Sequence, residues 1–318
     1  MGDKFWRTGN TSANQQPSLR EPRVAVWRRR MAVVGATAVV TVGAAASPAV
    51  ADGTAPPTPG VVSPSATVQG RTYAQWSAAQ WQWTLEQKNV ADSPVVDPNP
   101  GTPSQPEPVD CTLGQTGTVW FLAGTTFLQG YSTAYRSCSV PAGVYLFFPV
   151  IDVWNDNLNC PGLPSFTLSG QRLRQLAQQQ TDTIVTKSMS VTVDGTVVKG
   201  LTNSTTAYRA AASGFSYTLP ADNALSAFCP GNPWPAGTSP PSPPGAYADG
   251  VYIMLAPLSV GVHRISFAAA ESGTPTFGPS SQNVTYTITV TGKRPSVRAV
   301  TAGRAPPVTA PSFYPLAT

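Results

Sequence analysis

The stretch Val144-Tyr-Leu-Phe-Phe-Pro-Val-Ile151 decides the fold, because it is apolar along its whole length. It follows the turn sequence Pro141-Ala142-Gly143. A strand with one face in water alternates apolar and polar residues, whereas a continuous apolar run is typical of a strand buried on both faces. The run therefore predicts a central strand that lies between a helix and a second layer.

The other strand signals surround this run along the chain. The clearest is Asp194-Gly195, which separates alternating β-branched residues and predicts a two-residue hairpin over residues 191–198. Apolar or alternating segments predict the remaining strands at residues 118–123, 215–219, 251–256, 262–268 and 284–290. A Pro-rich loop is expected at residues 230–245.

Two helices are predicted beside these strands. Thr72 and Gln75 form a capping box before a helix over residues 73–88, in which Trp76 and Trp83 share one face. A second helix is expected over residues 169–185. The 33 prolines and 27 glycines favour short strands and loops over a helical bundle. We therefore expect a mainly β protein, an antiparallel β-sandwich of immunoglobulin-like or jelly-roll-like type, with one or two α-helices packed on it.

The N-terminal segment reads as an export signal. Arg28, Arg29 and Arg30 precede an uncharged run of 16 residues from Met31 to Ala46, and Ala49-Val50-Ala51 is a cleavage signature. The run is shorter than the roughly 20 residues that a spanning helix needs, so a removed signal peptide over residues 1–51 is favoured over a membrane anchor. The sequence therefore predicts an extracellular or envelope-associated protein without a transmembrane segment after cleavage.

Removal of this segment changes the charge of the protein. The chain has 20 Lys and Arg and 15 Asp and Glu, of which seven and two lie before Asp52, so the mature chain carries 13 of each. No dense basic patch remains for phosphate neutralisation, which excludes nucleic acid as the expected partner. The predicted organisation is a disordered Pro/Ser/Thr-rich lead-in at 52–69, one β-rich domain at 70–292 and a flexible basic tail at 293–318.

Four cysteines, Cys111, Cys138, Cys160 and Cys229, follow the predicted cleavage site. In an oxidising compartment an even number predicts two disulfides. Three pairings exist, and proximity in sequence favours Cys111–Cys138 with Cys160–Cys229. Zinc is disfavoured, because the chain has no C-x-x-C and a single histidine.

Tryptophan and carboxylate side chains are the candidates for function. Trp154 and Trp234 fall in loop-like segments and are candidate platforms for sugar rings, and Trp76 and Trp83 are weaker candidates, since core packing is the more common role of such residues. The acids that qualify for paired acid/base chemistry are Asp152, Asp156, Asp249 and Glu271. The single histidine, His263, alternates with Ile265 and Phe267 on a strand, which favours a packed or edge position over a general base. No nucleotide-cofactor motif is present, and no cofactor is expected.

Oxygen-bearing side chains are densest directly after the apolar run. They are Asp152, Asn155, Asp156, Asn157 and Asn159, a set that offers hard ligands to calcium. The spacing fails the EF-hand pattern, and such residues are common in turns without any metal.

Four motifs resemble an uncharacterised group of exported proteins from actinobacteria and proteobacteria. They are Tyr73-Ala-Gln-Trp-Ser-Ala-Ala-Gln-Trp-Gln-Trp83, Cys111-Thr-Leu-Gly-Gln-Thr-Gly-Thr-Val-Trp-Phe-Leu-Ala-Gly124, Arg136-Ser-Cys-Ser-Val-Pro-Ala-Gly143 and Leu146-Phe-Phe-Pro149. The resemblance covers about residues 70–150. It implies export and a Cys111–Cys138 pair, and it implies no activity.

Three functions follow as hypotheses. The first is a non-catalytic extracellular protein that binds polysaccharide or another surface polymer. The second is a secreted glycoside hydrolase with two carboxylates, and the third is a calcium-dependent adhesion module. Aligned exposed tryptophans would support the first, and two acids facing an open cleft would support the second.

Overall fold

The computed structural model describes residues 60–126, 129–162, 165–225, 234–275 and 277–292. The predicted signal peptide, the first part of the lead-in at 52–59 and the basic tail lie outside these ranges. The predicted β-sandwich with helices packed on it is confirmed.

The described residues contain two helices and ten strands. These are α1 (Tyr73–Leu85), β1 (Glu107–Pro108), β2 (Val119–Phe121), β3 (Thr133–Pro141), β4 (Tyr145–Asn155), α2 (Gly170–Thr181), β5 (Ser190–Val193), β6 (Thr196–Val197), β7 (Arg209–Phe215), β8 (Ala246–Leu255), β9 (Gly261–Glu271) and β10 (Ser280–Thr291).

The strands form two facing sheets. The six-stranded sheet has the order β1-β3-β10-β9-β5-β6, and the four-stranded sheet has the order β2-β4-β8-β7. Within the described strands, β1–β3, β3–β10 and β2–β4 are parallel pairs. Both sheets are therefore mixed rather than purely antiparallel. In the six-stranded sheet, β3 and β10 are far apart in sequence but run in the same direction along nine paired residues.

Strand β4, which contains the opening apolar run, is buried on both faces as predicted. Phe148 points into the core between the sheets, where its ring lies 4.8 Å from that of Phe267. Phe147 points to the opposite face and stacks on Tyr252 at 5.3 Å. Because neighbouring residues of one strand enter different cores, β4 and its partner β8 form the centre of a three-layer structure.

Helix α1 covers the outer face of the four-stranded sheet. The predicted capping box is confirmed, since the Thr72 side chain accepts from Gln75 N and the Gln75 side chain accepts from Thr72 N. Trp76 and Trp83 both pack on Phe121 of β2, at 6.2 and 5.7 Å between ring centroids.

Helix α2 lies on the other face of the same sheet, beside the six-stranded sheet. Tyr247 and Asp249 lie on the same face of β8 as Val251, which belongs to the core between the sheets. The Arg174 guanidinium of α2 sits 5.6 Å from the centroid of the Tyr247 ring. The helix begins after Ser169, whose hydroxyl caps Arg172 N, and ends at Thr181, four residues before the predicted end.

Local signals predicted some elements well and others poorly. The two-residue hairpin is confirmed, with Asp194 and Gly195 at φ values of 50° and 80°. Strand β3 was not predicted. Strand β8 begins five residues before the predicted strand. The prediction started too late because Asp249-Gly250, a pair that is typical of a turn, lies inside the strand. Strand β7 lies mostly before the predicted 215–219 strand.

The domain begins earlier in the chain than residue 70. Val61 forms a bridge with Leu255, and Val62 N donates to Met254 O at 2.8 Å. Residues 60–62, which were expected in a disordered lead-in, are thus attached to the end of β8.

The Cys111–Cys138 disulfide is present, with Cα atoms 5.8 Å apart. It joins the segment before β2 to β3 and closes a loop of 27 residues. Cys160 is also disulfide-bonded, and its expected partner Cys229 lies outside the described residues. Disulfides of this kind are typical of proteins that function in an oxidising compartment.

The close approach of β4 and β8 at Gly250 yields the first testable prediction. A Cβ at Gly250 would lie 2.7 Å from both Asp152 Cα and Ile151 O, which are backbone atoms that cannot move aside cheaply. Gly250→Ala is expected to lower the free energy of unfolding by about 1–3 kcal/mol. Urea denaturation followed by tryptophan fluorescence measures the change. Gly278→Ala, where nothing lies within 4 Å, is the matched control, and equal losses in both variants would refute the prediction.

Candidate functional site

An open cleft of about 480 Å³ lies where β7 and β8 meet the end of α2. We call it the Arg209 cleft, and it is lined by Gln178, Asp182, Ser204, Thr205, Thr206, Arg209, Ala211 and Asp249. Among the acids proposed from the sequence, Asp249 alone belongs to this lining.

Arg209 uses every donor of its guanidinium inside the protein. Nε and Nη2 bind the two oxygens of Asp249 at 2.9 and 2.8 Å, which is a bidentate ion pair. Nη1 binds Asp182 Oδ1 at 2.6 Å and Ser204 O at 3.2 Å, and Nη2 also binds Gln178 O at 3.2 Å. The hydrogen bond to Asp249 is the main reason that the pKa of Arg209 is raised. The guanidinium thus clamps α2 to β8 and has no donor left for a ligand.

Hydrogen-bond acceptors therefore dominate the open side of the cleft. The side chain of Asp182 is 61% exposed, and only its Oδ1 is bound to Arg209. Thr205 and Thr206 donate their hydroxyl protons to Asn203 Oδ1 and Gly200 O, and the Thr206 oxygen also accepts from Tyr208 N. The Thr205 oxygen therefore offers its lone pairs to a ligand, and the Thr206 oxygen offers one. The lining contains two aspartates and one arginine, so the cleft has a net negative formal charge. This arrangement fits a ligand that donates hydrogen bonds.

Glu271 lies near this cleft but outside its lining. At the end of β9 it is 4% exposed, and its Oε2 accepts from Gln180 Nε2 and Ser280 Oγ at 2.8 and 2.9 Å. Burial raises its pKa, and the charge of Asp249 acts in the same direction. Glu271 faces Gln180 of α2 rather than solvent.

Asp152 lies on the opposite face of the four-stranded sheet, beneath α1. It pairs across the strands with Gly250, and its Oδ2 is buried although part of the residue is accessible. Burial raises the pKa of Asp152 to about 8, against a smaller lowering by the Tyr252 hydroxyl. Three buried polar atoms lack a hydrogen bond of standard geometry, namely Trp81 Nε1, Tyr252 Oη and Asp152 Oδ2. Trp81 and Asp152 nevertheless lie close enough to Tyr252 for both to act on its pKa. We call these three residues the Asp152 cluster.

The proposed calcium ligands serve to fix a loop instead. Asn157 and Asn159 pair their side-chain amides with the backbone of Leu168 and Phe166, at 2.8–2.9 Å for both donor and acceptor. Asp156 accepts from Tyr217 Oη, Trp154 Nε1 and Leu158 N. Because Asp152 lies on the outer face of β4 and Asn155 alternates to the inner one, the five side chains do not converge. No metal-binding cluster of His, Cys, Asp or Glu occurs among the residues that the structure describes.

The candidate tryptophans are packed rather than presented to solvent. Trp76, Trp83 and Trp234 are 6–8% exposed, and each donates its indole N–H to a backbone carbonyl, of Val68, Leu113 and Asn159 respectively. Trp154 is half-buried and lies 4.6 Å from the Trp81 ring. These four residues do not form an aligned platform, because their apolar area fills the layers around α1.

His263 holds the hairpin to β9. Its Nδ1 lies 2.7 Å from Asp194 Oδ2, and its Nε2 lies 2.9 Å from Ser259 O. The histidine is thus packed against the hairpin, on a strand that lies between β10 and β5 rather than at the edge of the sheet.

Sequence reasoning missed two arginines, Arg209 and Arg136. Arg136 is fully buried in β3, where it binds the carbonyls of Ala123 and Gly124 and the hydroxyl of Tyr286 at 2.8–3.1 Å. Asp97 lies close enough for its charge to act on Arg136, but burial raises the pKa of Asp97 to about 6. Arg136 shares one face of β3 with Ala134 and Val140, which belong to the core. A charged residue on this apolar face was the sequence signal for a buried arginine.

Comparison with known proteins does not assign this chain to a family. No protein-family model, curated protein or solved structure matches the chain. The resemblance of its four motifs to a group of exported bacterial proteins remains a prediction. Neither helix of the described ranges is long and apolar enough to cross a bilayer.

The Asp152 cluster predicts a pH-dependent stability. The folded-state pKa of about 8 lies above the ordinary value of 3.8, so the folded protein holds this proton more tightly than the unfolded chain. The resulting stability is complete below about pH 4 and is lost as the pH rises to 8. Asp152→Asn carries no such proton, and its stability relative to the wild type is expected to grow by about 1 kcal/mol per pH unit between pH 5 and 8. Urea denaturation at several pH values measures this, and parallel profiles would contradict it.

The Arg209 clamp predicts that lysine cannot replace it. Lysine lacks the planar fork, so Asp249, which is 2% exposed, would keep at most part of its hydrogen bonding. Arg209→Lys is expected to lower the free energy of unfolding by about 2–4 kcal/mol. Arg174→Lys is the matched control, since it alters an exposed cation–π contact worth about 0.5–1 kcal/mol. An Arg209→Lys protein as stable as the control would exclude the clamp.

Proposed function

We propose that this protein is exported and acts without catalysis, by binding a polyhydroxylated ligand such as a cell-surface polysaccharide in the Arg209 cleft. Export is supported by the N-terminal signal sequence and fits the Cys111–Cys138 disulfide. The observation that carries the binding proposal is the acceptor-rich surface of the cleft. Because Arg209 has no free donor, the groups that face the open space are Asp182, Gln178 and the hydroxyls of Ser204, Thr205 and Thr206.

The chemistry of sugars fits this surface. Each sugar ring offers several hydroxyl donors, and a carboxylate such as Asp182 is a strong acceptor for them. The proposed site differs from the tryptophan platforms expected from the sequence, since recognition by hydrogen bonding takes the place of ring stacking. A polar, open cleft of this kind favours a modest affinity, because a hydrogen bond to exposed groups replaces one to water.

The hydrolase alternative lacks the paired acids that it needs. Both oxygens of Asp249 are bound to Arg209 and the residue is 2% exposed, so that Asp182 alone presents a carboxylate oxygen to the cleft. General acid/base hydrolysis requires two carboxyl groups that flank the bond to be cleaved. The other candidate acids lie outside the cleft lining.

A cleft-filling variant tests the proposal. Full-length protein is screened against soluble oligosaccharides of glucose, N-acetylglucosamine and mannose and against soluble cell-wall polymers, and the Kd of any ligand is measured by calorimetry. Ala211→Phe places a ring in the cleft and is expected to raise the Kd at least 10-fold. Ser213→Phe adds the same ring two residues along β7, outside the cleft lining, and is the matched control.

The outcomes separate clearly. Equal Kd values for Ala211→Phe and wild type would remove the site, and absence of binding to every carbohydrate would overturn the proposed function. Release of shortened products during long incubation would revive the hydrolase alternative.

A further inference from the structure

The outer face of the six-stranded sheet carries a regular array of hydroxyl groups. Val284, Tyr286 and Ile288 of β10 enter the core, so Thr285, Thr287 and Thr289 point to the opposite side. The same alternation places Ser and Thr outward on three neighbouring strands. We call this the hydroxyl face, and it consists of Thr133, Ser137, Ser139, Ser190, Thr192, Ser266, Thr285, Thr287 and Thr289.

Strand register aligns these residues in rows. Tyr135, Thr285, Ser266 and Thr192 lie side by side on β3, β10, β9 and β5. The next rows are Ser137, Thr287 and Arg264, and then Ser139, Thr289 and Val262. Neighbouring strands lie about 4.8 Å apart and alternate residues about 6.8 Å apart. The hydroxyls therefore form a two-dimensional lattice rather than a scattered set.

The hydroxyl face is nearly uncharged and is most exposed in its last row. Ser139, Thr289 and Val262 are exposed and Thr287 is half-buried, whereas Thr285 is 7% exposed and its hydroxyl lies 3.0 Å from that of Ser266. Both described helices pack on the four-stranded sheet instead. Arg264 is the one charged residue in the rows given above. Thr287 and Thr289 make no side-chain hydrogen bond within the described residues. A surface with a single charged residue among these rows fits a partner that is itself uncharged.

We infer that the hydroxyl face adsorbs the protein to the ordered surface of an insoluble, uncharged polysaccharide. A single exposed hydroxyl gains little by exchanging water for a sugar, so a flexible chain in solution would bind weakly. An ordered polymer surface presents many hydroxyls at fixed spacing, and a rigid sheet meets them with little loss of conformational freedom, so small gains add up. This inference rests on the proposed carbohydrate function but uses a surface separate from the Arg209 cleft.

The test is sedimentation of the full-length protein with microcrystalline cellulose and with chitin particles. Wild type is expected to adsorb to at least one of them, with an affinity that is unchanged between low and high salt because no ion pairs are involved. The double variant Thr287→Val/Thr289→Val removes two central hydroxyls while it keeps shape and strand propensity. Its adsorption constant is expected to fall at least 10-fold.

Two controls give the result its meaning. Thr186→Val/Thr202→Val removes two exposed hydroxyls between α2 and β7, outside the face, and is expected to adsorb like wild type. Ala211→Phe fills the cleft and is expected to lose soluble oligosaccharide binding while it retains adsorption. The opposite pattern, with adsorption lost in Ala211→Phe and kept in Thr287→Val/Thr289→Val, would overturn the hydroxyl face but leave the cleft. Salt-sensitive adsorption, or none to either particle, would also overturn it.

Discussion

The burial of the β4–β8 pair on both faces is the constraint on which the rest of the structure depends. One face of this pair needs the other sheet and α2, and the other face needs α1, so that neither layer is optional. Phe147 and Phe148 enter opposite cores from adjacent positions, which makes the register of β4 decisive for both. A slip of one residue would exchange the two faces. The irregularity in the pairing between Pro149 and Ile151 sets where this alternation changes phase.

Burying a charged or ionisable side chain costs free energy, and the structure limits this cost in three different ways. Asp249 is neutralised by the fork of Arg209, at 2.8–2.9 Å. Asp152 is favoured in its protonated form by its surroundings. Arg136 keeps its charge and is surrounded by neutral oxygens of Ala123, Gly124 and Tyr286. Pairing, neutralisation and dipolar solvation all limit the cost of burial, and only the first of them contributes to the open cleft.

The parts of this fold that sequence predicts are those that short-range patterns determine. The apolar run of β4, the capping box at Thr72 and the Asp194-Gly195 turn depend on residues a few positions apart, and each was found. The parallel pairing of β3 with β10 depends on partners about 150 residues apart and leaves no local signal. The same limit applies to function. Asn157 and Asn159 have the chemistry of metal ligands, but the backbone at 166–168 occupies their side chains. Asp249, one of the acids chosen from the sequence, lies in the cleft lining. Its partner Arg209, 40 residues earlier, left no local signal in the sequence.

The position of α1 in the chain has a consequence for how the protein forms. The helix is the first element of the domain, yet the core beneath it contains Tyr252 and Met254 of β8, near the end. Synthesis of the chain proceeds from the N terminus. The tryptophan-rich face of α1 therefore emerges roughly 170 residues before the strand that completes its cover. During that interval the nascent chain exposes an aromatic surface that chaperones can bind. The core under α1 cannot form until almost the whole chain has been synthesised, so productive folding is delayed.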